Sequence, residues 1–100
     1  MSGNYNILPF VIPVAVAGGV GSSVTESLFG YIKQIRLDGP VGGTATLDIV
    51  NPQGVKVYSR ALRVGGNELT NVPVRGVHSV AISAASADGA WQVYLANETL

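Results

Sequence analysis

Glycine and proline punctuate this chain so densely that no long helix fits between them. Thirteen glycines and five prolines are spread over 100 residues. Inside a helix each glycine costs about 1 kcal/mol and each proline about 3 kcal/mol relative to alanine. The pieces left between them are rich in Val, Ile and Thr, which are stiff on a helix and pack well on a pleated sheet. Within those pieces apolar and polar residues alternate, the period of a strand with one buried face. The chain is therefore expected to be all-β: a single small antiparallel β-sandwich of six or seven strands.

The strands can be placed from the alternation. In 28–38, Ile35 and Leu37 share one face, and Gln34, Arg36 and Asp38 the other. In 44–50, Ala45, Leu47 and Ile49 oppose Thr44, Thr46 and Asp48. Asn51-Pro52-Gln53-Gly54 then has the order of a type I turn closing a hairpin, which predicts a return strand over 55–62 with Lys56, Tyr58 and Arg60 on one face. Gly65-Gly66-Asn67 marks another turn, and Pro73 makes 69–74 a loop or short edge strand. Residues 77–84 and 90–96 alternate again about Ser86-Ala87-Asp88-Gly89, which predicts a second hairpin over 77–96. The expected core is Ile35, Leu37, Leu47, Ile49, Val57, Val80, Ile82, Trp91, Val93 and Leu95.

The first 23 residues read differently. YNILPFVIPVAVA over 5–17 is apolar on both strand faces, too short for a membrane helix and broken by Pro9 and Pro13. Ala15-Val16-Ala17 looks like a signal cleavage site, but no basic segment precedes it. An extended arm or edge strand is the better reading. The two prolines share parity, so their missing N–H groups lie along one edge. GGVGSS over 18–23 reads as a flexible connector. This divides the chain into an apolar arm with its connector, 1–23, and a β-sandwich domain, 24–100. The large apolar side chains of Leu8, Pro9, Phe10, Val11, Ile12 and Pro13 are the expected subunit-interaction residues.

Catalytic chemistry is hard to find. With no cysteine, disulfides, thiolate metal sites and cysteine catalysis are excluded. Arg60 and Arg63, with Lys56, line a polar strip beside Tyr58, of the kind that stacks bases or sugars. However, six basic residues balance six acidic ones, which leaves no electrostatic footprint for nucleic acid or an anionic membrane. The lone histidine, His78, has the parity of Val80 and Ile82 and reads as a core-row residue. The six acids are scattered, and Asp38 and Asp88 precede glycines as turn aspartates do. The glycines of 18–21 match neither phosphate-loop pattern, no Gly-x-Ser-x-Gly elbow occurs, and Asn97-Glu98-Thr99 reads as a chance sequon. No catalytic, metal or cofactor site is expected, nor nucleic-acid or membrane binding. Charged residues make up 12% of the chain, so protein should cover part of its surface.

The segments IKQIRLDGP, GTATLDIVNPQGV and HSVAISAASADGAWQVYL, between Ile32 and Leu95, resemble small all-β virion proteins of tailed bacteriophages. That resemblance implies a non-enzymatic structural protein on the capsid surface, a decoration or cement subunit bound to the major capsid protein shell. By analogy it also implies a homo-oligomer, most simply a trimer. No site residue transfers with it. A tail or connector protein belongs to the same class. The competing reading is a carbohydrate-binding or adhesion module, which needs an exposed aromatic platform and is separated from the first by the exposure of Trp91.

Overall fold

The computed structural model describes residues 6–99. The arm's first five residues and Leu100 lie outside the described residues. Six strands form one antiparallel sheet: β1 (Asn6–Val16), β2 (Gly21–Asp38), β3 (Thr44–Val50), β4 (Lys56–Arg63), β5 (Asn67–Ser83) and β6 (Gly89–Thr99), in the order β1-β6-β2-β5-β3-β4. Leu37, Leu47, Ile49, Ile35 and Val80 are fully buried although no helix among the described residues covers them. A flat sheet leaves both faces open, so this burial requires the sheet to double over on itself.

The two long strands make the fold. The second half of β2, Tyr31–Asp38, lies between β6 and the first half of β5. The first half of β2 pairs with the second half of β5, which pairs in turn with β3, and β3 with β4. One layer is therefore β1, β6, late β2 and early β5, and the other is early β2, late β5, β3 and β4. Gly30 and Gly76, at φ +107° and +95°, lie where β2 and β5 pass between layers. Gly30 is obligatory for a second reason. A Cβ there would stand 2.1 Å from the Glu98 carbonyl oxygen.

Where β2 leaves β6, the buried side chain of Asn97 takes over the pairing. Its Oδ1 accepts from the Phe29 N–H at 3.4 Å, and its Nδ2 donates to the Phe29 and Tyr31 carbonyls at 2.9 and 3.3 Å. This amide is spent on backbone and only 1% exposed, so Asn97-Glu98-Thr99 is no glycan acceptor in the folded chain. Asn97→Ala orphans buried backbone groups and should cost about 1–3 kcal/mol. The expected result is a lower urea midpoint at unchanged m-value.

Three expectations about strands β4 to β6 need correction. First, 77–96 is not a hairpin: β5 and β6 are not neighbours in the sheet, and the 84–88 connection carries the chain from one layer to the other. Its backbone bonds go to Gly19 and Thr44. Second, 69–74 belongs to β5, which tolerates Pro73 because this half of the strand is paired only with β2. Third, Tyr58 faces inward and is buried, while Val57 is only partly buried against the core. A bulge between Ile49 and Val50 shifts the β3–β4 register there. With that ring turned in, Lys56, Tyr58 and Arg60 form no stacking strip. The other nine expected core residues are buried, and His78 lies among them at 1% exposure.

Candidate functional site

The doubled sheet has two seams where edge strands of opposite layers meet. One is bridged by the Arg60–Glu68 ion pair at 3.3 Å, between β4 and early β5. The other runs between β1 and early β2, and the expected interaction residues lie along it.

The 1–23 arm and connector are not separate from the domain. β1 is an edge strand paired with β6 over eleven residues, from Asn6↔Thr99 to Val16↔Gly89, and β2 runs unbroken through the expected boundary at 23/24. Pro9 and Pro13 pair with Ala96 and Gln92. Having no N–H to offer, they sit where that group would point away from β6, which blunts the outer edge. Nor is the connector slack. Gly18 and Gly19, at φ +63° and +80°, form a two-residue turn closed by reciprocal bonds between Ala17 and Val20 at 3.0 and 3.3 Å. Glycine takes this left-handed backbone without steric cost.

Asp88 fastens that turn to the rest of the molecule. Its carboxylate accepts from the Gly19 N–H at 2.9 Å and the Gly18 N–H at 3.1 Å, while the Ala85 N–H donates to the Gly19 carbonyl at 3.1 Å. The Gly19 bond, then the Gly18 bond, holds the Asp88 carboxyl below its ordinary value. A lowered folded value means this contribution is present above the unfolded carboxylate range and is lost as pH falls through the folded value. The Gly18 and Gly19 amide NMR shifts should therefore titrate together below the usual aspartate range, and Asp88→Asn should abolish that titration.

From the turn the seam opens toward the N-terminal end of β1. On the inward row of β1, exposure runs from 4% at Val16 and 2% at Val14 to 6% at Ile12, then 46% at Leu8, with Phe10 half-buried. The result is a shallow groove of about 270 Å³ between Pro9–Pro13 and Ser23, Val24 and Glu26. Val11 and Val24 stand exposed on its lining and Leu8 beside it, and Glu26 is the one charge lining it. Of the expected interaction residues, Leu8, Pro9, Val11 and Pro13 are exposed, Phe10 is partly covered, and Ile12 is buried in the core. The inward role of Ile12 follows from strand parity. The gaping of the seam had no signal in the sequence, because it arises where β2 changes layers.

Other chemistry is sparse. Among the described residues no group of three His, Asp or Glu side chains is placed to hold a metal ion. The His78 Nδ1 donates to the Gly76 carbonyl at 3.0 Å, and its backbone N–H donates to the Thr25 hydroxyl at 2.9 Å. Trp91 is 1% exposed and donates from Nε1 to the Ala87 carbonyl at 3.1 Å. Tyr94 lies under the Arg36 guanidinium, 5.1 Å from the ring centroid. Phe29 is the one aromatic side chain largely exposed among the described residues.

No protein-family profile matches the chain, and no characterised sequence does. Among solved structures it is similar to carbohydrate-binding module CBM36 in complex with calcium and xylotriose, at 19% identity and TM-score 0.40, over 95% of this chain and 92% of that one. It is also similar to the structure of the infectious bursal disease virus Gt strain, at 13% identity and TM-score 0.37, over 97% of this chain and 31% of that one. Neither likeness carries a function across.

Proposed function

We propose that the chain is a non-enzymatic structural protein of a virion, a capsid decoration or cement subunit that binds the major capsid protein shell and associates with itself. The observation that carries this reading is the β1–β2 seam. Leu8, Val11 and Val24 stand exposed beside a shallow groove, on an edge whose prolines prevent endless sheet extension. Each such side chain, once fully buried, contributes roughly 1.5–3 kcal/mol. Against the carbohydrate-binding alternative, Trp91 is buried and Tyr94 packs under a guanidinium, which leaves Phe29 as the one largely exposed aromatic ring among the described residues.

The test uses surface variants that leave the core intact. Leu8→Glu with Val11→Lys should unfold at the same urea concentration as the parent. The parent should sediment above its 10.3 kDa chain mass and co-sediment with assembled virion shells, and the variant should do neither. A parent that is monomeric at every concentration and never binds shells would overturn the proposal.

A further inference from the structure

We infer that β1 is exchangeable between copies of this chain: the β1 of one copy takes its place on β6 of a second, reciprocally, giving a strand-swapped dimer. This rests on the reading of β1 as the subunit contact and specifies its partner, β6 of a second copy of this chain. The site on β6 is filled by β1 through eleven register pairs, with Ile12, Val14 and Val16 entering the core. A second copy's β1 satisfies all of those pairs equally well. β1 is paired along one side only, apart from the Ala17–Val20 bridge, so its release breaks a single ladder.

What separates the closed and exchanged forms is the turn at 17–20. It is as short as a strand reversal allows, and both central residues need left-handed backbone. Short hinges invite exchange when they are strained, and lengthening them suppresses it; the glycines keep this one unstrained, and a side chain at Gly18 would supply the strain. The closed form is held by the Ala17–Val20 bonds and by the bonds of Gly18 and Gly19 to Asp88 and Ala85. Straightening the hinge releases these local bonds and leaves the β1–β6 ladder unchanged. A Cβ at Gly18 would meet no atom within 4 Å, so a substitution there acts on backbone conformation alone.

The cysteine-free chain allows a direct test. Ala15 and Ala90 are exposed register partners on β1 and β6. They share the parity of Pro13↔Gln92, the pairs without mutual hydrogen bonds, whose side chains stand closer. In the full chain carrying Ala15→Cys and Ala90→Cys, oxidation should give an intrachain disulfide after dilute refolding and a covalent dimer after concentrated refolding. A chain with Ala90→Cys alone sets the level of collisional cross-linking. Adding Gly18→Val should raise the dimer fraction severalfold. Inserting four Gly/Ser residues after Gly19 should reduce it to the collisional level, and this arm decides the matter if the valine variant does not fold. Disulfides that stay intrachain at every concentration, or a dimer fraction indifferent to the hinge, would overturn exchange. If the Ala15→Cys, Ala90→Cys chain still self-associates or binds shells with its disulfide wholly intrachain, exchange fails while the contact reading stands. Loss of both self-association and shell binding in the parent removes the contact reading too.

Discussion

Removal of residues 1–17 is expected to abolish cooperative folding. The deletion strips Ile12, Val14 and Val16 from the core, each at most 6% exposed. At roughly 1.5–3 kcal/mol per large apolar side chain, the loss is about 5–9 kcal/mol. A small domain's whole stability is about 5–15 kcal/mol. The deletion also opens the core-facing side of Trp91, Val93 and Leu95 and leaves β6, their strand, without its outer neighbour. Circular dichroism of the truncated chain should show no sigmoidal thermal transition. A sharp transition near the parent's would mean that β1 is dispensable to the core.

Trp91→Ala should be the most damaging single substitution, at about 3–5 kcal/mol. The indole fills the end of the sandwich where the connections cross. It lies so close to the backbone that a Cβ at Gly39 would come within 2.8 Å of ring atoms Cδ2 and Cε3, and one at Gly43 within 2.9 Å of Cη2. Val64 packs at the same place, and the Ala87 carbonyl takes the indole proton. Alanine would leave a cavity that two glycines cannot fill and a carbonyl without its donor. Val57→Ala, at a partly buried site on β4, should cost under about 1.5 kcal/mol and serves as the control. Urea denaturation of both variants checks the ordering, and an equal cost at the two positions would contradict this account of the core.

The alternation in 44–50, 77–83 and 91–95 was enough to place Leu47, Ile49, Val80, Ile82, Trp91, Val93 and Leu95 inside, because a period of two survives any partner assignment. Partner choice was not legible. Ser86-Ala87-Asp88-Gly89 has the composition of a hairpin turn, but its hydrogen bonds run to Gly19 and Thr44, groups far away in sequence. Tyr58 was misplaced because Lys56 and Arg60, of its own parity, read as an outward polar row, whereas its ladder partner is the buried Ile49 and Leu62 of the same parity is buried with it. At the candidate site the two prolines announced an edge strand, and β1 is one. Whether its inward row would be covered depended on where β2 turns from one layer to the other. That turn is fixed by Gly30 and the Asn97 amide, one of them 68 residues from the backbone it holds.

The pairing of Asn6 with Thr99 and of Val16 with Gly89 has a kinetic consequence. A ribosome makes the apolar β1 well before β6, its ladder partner. Throughout synthesis β1 has no β6 to pair with, while β3 and β4 can already zip across a short turn. Contacts so distant in sequence form late and slow the folding of all-β chains. Until β6 emerges, the nascent protein therefore carries an unpaired apolar strand. Pro9 and Pro13 deny that strand two of the N–H groups through which neighbouring nascent chains would stack onto it.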